Sequence, residues 1–116
     1  MTKQFRLRSE EIKPMAVGYG ACIASDMITV EGYPVRFMYR RSPDNSTDSG
    51  WRFFSGYEDD AYTNNAENHA VYDVNTIANY DRSITPLLDS QEGSAFEKAL
   101  GTDSFSPVLD WFPEER

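Results

Sequence analysis

Pro43-Asp44-Asn45-Ser46-Thr47-Asp48-Ser49-Gly50-Trp51-Arg52-Phe53-Phe54-Ser55-Gly56-Tyr57-Glu58-Asp59-Asp60 runs a turn, a strand and an acidic cluster together. The first eight residues are turn formers, whose short polar side chains bond nearby backbone. Trp51 to Ser55 is dense in aromatic residues and reads as a strand with a buried face. Gly56 then breaks the run, and Glu58-Asp59-Asp60 follows in a polar stretch.

Working outward, the strand needs partners. Upstream, Gly20-Ala21-Cys22-Ile23-Ala24-Ser25 reads as a buried strand of small side chains, a surface on which the aromatics of 51–54 can pack. Glu31-Gly32-Tyr33-Pro34 marks a turn. Val35 to Arg40 alternates in part, with Val35, Phe37 and Tyr39 on one side and Arg36, Met38 and Arg40 on the other. This predicts an antiparallel strand with the aromatic side inward. Downstream, 58–68 is polar and loop-like. Asp73 and Asn75 are capping residue types, and Val74, Ile77 and Ala78 fall at helical spacing, which predicts a short helix over 75–80. A second helical turn is expected within 81–89, where Pro86 suits a first turn. Gly93 to Lys98 fits a late strand or a helix start. Phe105, Val108, Leu109, Trp111 and Phe112 predict a tail that docks on the body. Strands early and short helices late give the expected fold class: α+β, a single small domain with an antiparallel sheet and short helices in its C-terminal half. Residues 1–14, ending at Lys13-Pro14, read as a lead-in to a domain of residues 15–116.

The 116 residues carry a formal net charge of −8, unevenly spread. Residues 1–43 hold seven basic and four acidic residues; 44–92 hold ten acidic residues against Arg52 and Arg82; 93–116 hold five against two. The middle segment, 44–92, therefore matches the whole net charge. Such a field repels nucleic acid and attracts basic partners, although acidity also serves plain solubility. The single cysteine, Cys22, excludes an internal disulfide and fits a reducing compartment. With no secretory leader and no apolar run of about 20 residues, the expected location is the cytoplasm, away from membranes.

Each candidate for chemistry has a plainer reading beside it. Asp44 to Gly50 places oxygen ligands at alternate positions, but Ser49 and Ser55 stand where a calcium loop needs Gly and Glu, so an Asx-rich turn is expected. Glu58-Asp59-Asp60 suits acid–base or metal chemistry only if burial separates the carboxylates; consecutive in a polar loop, they read as a solvated patch. His69 is the only histidine, and Cys22 lies in a buried strand, where a thiol packs. Trp51, Phe53 and Tyr57 would stack bases only beside a basic groove, which their neighbours deny them.

Residues 20–97 carry a family resemblance. Gly20-Ala-Cys-Ile-Ala-Ser-Asp26, Pro43-Asp-Asn45, Asp48-Ser-Gly-Trp-Arg-Phe-Phe54, Glu58-Asp-Asp60, Val71-Tyr-Asp-Val-Asn-Thr-Ile-Ala-Asn-Tyr-Asp81, Pro86-Leu-Leu-Asp89 and Gly93-Ser-Ala-Phe96 occur in the family's order. The chain resembles a bacterial family first catalogued as a domain of unknown function and later proposed to comprise immunity proteins of polymorphic toxin systems. The resemblance implies an α+β domain that binds and neutralises a cognate toxin; it implies no catalytic residue, cofactor or metal. The charge makes a basic toxin the natural partner. The expected contact residues are Asp44, Asp48, Glu58, Asp59 and Asp60 as rim charges, with Trp51 or Tyr57 as anchors. Two other classes stand beside this: a small metal-dependent enzyme using Glu58-Asp59-Asp60, and a general protein-interaction domain.

Overall fold

A computed structural model describes residues 3–99 and 101–109. Six strands among them form one sheet: β1 (Ala21–Ser25), β2 (Phe37–Arg40), β3 (Asp48–Phe54), β4 (His69–Asp73), β5 (Ala95–Lys98) and β6 (Phe105–Pro107), in the spatial order β4-β1-β3-β2-β5-β6. Helices are short: α1 (Asp26–Thr29), α2 (Asp60–Thr63) and α3 (Val74–Tyr80), with 3-10 turns at Ser9–Glu11, Ala66–Asn68 and Arg82–Leu87.

The α+β class holds, but the sheet is mixed rather than antiparallel. β1 and β3 run parallel, Ala24 opposite Phe53, while the other pairings are antiparallel. A parallel pair requires a crossover. Here α1 and the β2 strand fill it, and β3 returns between β1 and β2. Nor are the helices confined to the C-terminal half. α1 starts where Ser25 ends β1, its hydroxyl capping the Met27 N–H at 3.1 Å. α2 starts at Asp59, whose carboxylate accepts from the Tyr62 N–H at 2.8 Å. Each is four residues long, too short to show a helical period in sequence.

One sheet face is covered. Cys22 and Ala24 from β1, Met38 from β2 and Trp51 and Phe53 from β3 are buried there with Ile28, Val74, Ile77, Ala78, Ile84 and Leu88. Small residues on β1 do receive the aromatics of β3, and burying a side chain such as Phe53 stabilises by roughly 2–3 kcal/mol. Trp51 also donates its indole N–H to the Leu88 carbonyl at 3.2 Å, so its one polar atom is satisfied inside the core.

The face of β2 is the reverse of the expected one. Met38 is the fully buried residue, set between Phe53 and Phe96, whereas Phe37 and Tyr39 are half-buried on the opposite face beside Phe54. Val35 is buried too, but it precedes the strand. Both faces of this strand carry large apolar side chains, so alternation could not name the inner one.

Residues 3–16 are bonded along the body. Lys3 pairs with Asp26 at 2.9 Å, the Arg6 N–H donates to the Thr29 carbonyl, and Asn75 and Asn79 of α3 bond the backbone at Lys13, Met15 and Ala16. Ala95 to Lys98 resolves as a strand, and Phe105 packs against the core from β6. Trp111 and Phe112 lie outside the described residues.

Candidate functional site

The opening stretch divides into residues that build the surface and residues that form it. In the turn, the Asn45 side chain accepts from the Thr47 and Asp48 N–H groups, both at 3.0 Å. Asp48 accepts from the Asp44 N–H at 2.8 Å, the Gly50 N–H at 2.9 Å, and both terminal nitrogens of Arg52, at 3.0 and 2.9 Å. Those bonds occupy both carboxylate oxygens, and the Arg52 bond holds the Asp48 carboxyl far below the usual carboxylate range. Asp44 is exposed and reaches Arg41 at 3.2 Å and Arg52 at 3.4 Å.

The acidic cluster separates into three roles. Glu58 turns back on its own loop and accepts from the Ser55 N–H at 2.8 Å, the Ser55 hydroxyl at 2.9 Å and the Gly56 N–H at 2.9 Å. Burial alone would raise its pKa; hydrogen bonds from Ser55, Ser25 and its own backbone together outweigh that and lower it. Asp59 caps α2, and Asp60 occupies the first turn of that helix, where a carboxylate faces the favourable end of the backbone dipoles. Both are exposed. Among the described residues no group of three His, Cys, Asp or Glu side chains is placed to hold a metal ion. Tyr57 is 55% exposed and packs on Tyr33, ring centroids 5.4 Å apart. Trp51 is fully buried and Asp48 nearly so, whereas Tyr57, Asp59, Asp60 and Asp44 are exposed.

The sheet face opposite α3 carries two depressions. Tyr39, Phe54 and Thr63 border both. Tyr39 and Phe54 stack, centroids 5.9 Å apart and planes 10° from parallel, and form a ridge between them. The larger, about 700 Å³, includes Arg36, Phe37, Tyr57, Glu58 and Glu97. The smaller, about 420 Å³, lies towards the β4 edge and is walled by Ile23, Phe54, Ala66, His69 and Val71. His69 is wedged edge-on to Phe54 and Tyr62 at 6.0 Å from each, and its Nε2 lies 3.1 Å from the Thr63 carbonyl. It therefore ties the α2 segment to the sheet.

The residues of the smaller depression do not stand out in sequence: Ile23, Ala66 and Val71 are ordinary apolar residues at scattered positions. One sequence signal does mark the region. From Phe53 to Asp81 there is no Lys or Arg, while Glu58, Asp59, Asp60, Glu67, Asp73 and Asp81 are all present. This run supplies α2, the following 3-10 turn, β4 and α3.

Cys22, fully buried, has its thiol pushed well up by desolvation, and no nucleophile role follows from its position. No helix among the described residues is long and apolar enough to cross a membrane.

Comparison with curated proteins and with solved structures finds no match. A scan against protein-family models matches the Immunity protein Imm33 domain over residues 22–108, which spans all six strands except the first residue of β1. The chain belongs to the Imm33 immunity-protein family.

Proposed function

We propose that this protein neutralises a cognate bacterial toxin in the cytoplasm by binding it, without chemistry of its own, through an acidic surface that suits a basic toxin. Family membership carries the immunity role. The cation-free run from Phe53 to Asp81 supports the acidic surface, because no Lys or Arg within it offsets the exposed Asp59 and Asp60. Steering by such a surface raises the association rate, and a half-exposed tyrosine such as Tyr57 supplies apolar contact area at small entropic cost. Asp44 extends the rim at the far end of the opening stretch, while Glu58 shapes the loop. Asp48 and Trp51 act indirectly by holding β3 and its turn.

The test is co-expression with the toxin domain encoded beside this gene. Wild-type protein restores growth and co-purifies with the toxin in a defined stoichiometry. No rescue together with no complex would overturn the proposal.

A further inference from the structure

The smaller depression on the open sheet face differs from the rest of the acidic surface. Most of its lining is apolar, with Ile23 and Val71 from neighbouring strands, Phe54 from β3 and Ala66 across the gap, while His69, Thr63 and Tyr39 supply its polar atoms. Val71 is 70% exposed on β4, the strand at one edge of the sheet. A single exposed apolar residue is ordinary, but Val71 adjoins Ile23, Phe54 and Ala66 in one lining, and contiguous apolar surface of this kind marks contact sites. Arg52, the one Lys or Arg on its border, is spent internally, with 5% side-chain exposure and both terminal nitrogens on Asp48. The far wall, α2 and the 3-10 turn, belongs to the run without Lys or Arg and carries Asp60 and Glu67. The hollow is thus largely apolar in its lining, the elements that supply Thr63 and Ala66 to it carry exposed acidic residues and no Lys or Arg, and its one bordering guanidinium is already paired.

We propose that this depression receives one apolar side chain from a Lys- or Arg-bearing segment of the toxin, with Val71 and Ala66 as its contact walls. The inference rests on the toxin-binding reading above and locates the centre of the contact. A volume of about 420 Å³ accommodates an aromatic or branched aliphatic side chain as an interface anchor. Flanking cations on the same segment then meet Asp60 and Glu67, exposed on the elements that bear the lining residues Thr63 and Ala66, so that charge complementarity selects a basic partner over an acidic one.

The experiment measures affinity for the cognate toxin domain with four proteins: wild type, Val71→Arg, Ala66→Arg and Val17→Arg. Val17 is equally exposed, 70%, but lies beside Ala16, whose backbone α3 bonds on the covered side of the sheet, so it controls for added charge and exposed bulk. Val71→Arg and Ala66→Arg each weaken binding at least tenfold with thermal midpoints near that of wild type, while Val17→Arg stays within twofold. If wild type binds and either depression variant, folded, also stays within twofold, the inference fails and the immunity reading stands. Equal losses from Val17→Arg would overturn it as a general charge effect. Self-association of wild type that Val71→Arg abolishes would assign the depression to a second copy and overturn it too. If wild type itself fails to bind, both readings fall.

Discussion

Asp48 and Arg52 form a two-pronged ion pair along a single strand, Oδ1 to Nη1 at 3.0 Å and Oδ2 to Nη2 at 2.9 Å, with side chains 8% and 5% exposed. Positions four apart on a regular strand lie about 13 Å apart, but β3 is irregular here: Asp48 and Arg52 stand opposite Ala21 and Ile23, only two apart on β1, with Gly50 at φ of +89° in the extra stretch. The same carboxylate accepts from Asp44 and Gly50, so one side chain joins the turn to the strand.

Breaking that pair leaves a buried guanidinium with one exposed carboxylate, Asp44, and the Trp51 carbonyl as partners. Asp48→Ala is expected to destabilise by about 3–5 kcal/mol, read as a fall in the urea midpoint. The pair also sets a pH dependence. Arg52 depresses the Asp48 carboxyl in the folded state, so its stabilisation is complete above the unfolded carboxylate value of about 4 and drains away as pH falls below it. Asp81 acts in the same direction: burial opposes ionisation, but Lys98 at 2.8 Å and Ser83 outweigh it. Urea midpoints between pH 7 and pH 2.5 should fall for wild type and fall less for Asp48→Ala.

Gly50 has φ of +89°, and a Cβ there would run into the carbonyl oxygen of Arg41, the residue just after β2. Gly93, at φ of +93°, has nothing within 4 Å of that position. Both Gly→Ala substitutions incur backbone strain of about 1–3 kcal/mol, but only Gly50→Ala adds a backbone collision. Its thermal midpoint should therefore fall further than that of Gly93→Ala, by roughly 5 °C or more. Equal losses would mean that the Arg41 contact relaxes freely.

Cys22 is expected to resist alkylation. Its thiol is fully buried, and desolvation disfavours the thiolate that reacts. Iodoacetamide should leave the native protein unmodified over hours at pH 8 and label it stoichiometrically in denaturant; rapid native labelling would show that β1 opens locally.

Reversing Asp59 and Asp60 together to Lys tests the steering role. The expected result is a roughly tenfold slower association with the toxin and a weaker dependence on salt, with dissociation little changed. A change confined to dissociation would place these residues within the contact rather than at its rim.

Much of this was legible in the residues, and the exceptions share a cause. β1 and β3 show as apolar runs bounded by turn residues, and α3 shows through Asp73 and the spacing of Val74, Ile77 and Ala78. Pairing direction does not show, because Ala21–Ser25 has the same composition whether its neighbour runs parallel or antiparallel. Neither does the inner face of β2, where Met38 competes with Phe37 and Tyr39. α1 and α2 are single turns set by their caps, Ser25 and Asp59, rather than by periodicity. At the site, the exposed carboxylates were readable as charge. The burial of Trp51 and the capture of Asp48 by Arg52 depend on packing between distant segments, as does the depression that joins Ile23, Ala66 and Val71.

The strand order has a consequence for how the molecule comes into being. β1, β3 and β2 are neighbours at the middle of the sheet, and together they occupy only residues 21–54. β4 is added outside β1, and then β5 and β6 outside β2. Synthesis from the N-terminus therefore delivers the central strands first and each flank afterwards. Once β3 has filled the place between β1 and β2, the sheet can widen as the chain leaves the ribosome, each later strand adding to an open edge. In such an order no completed pairing has to be undone for the next strand to join.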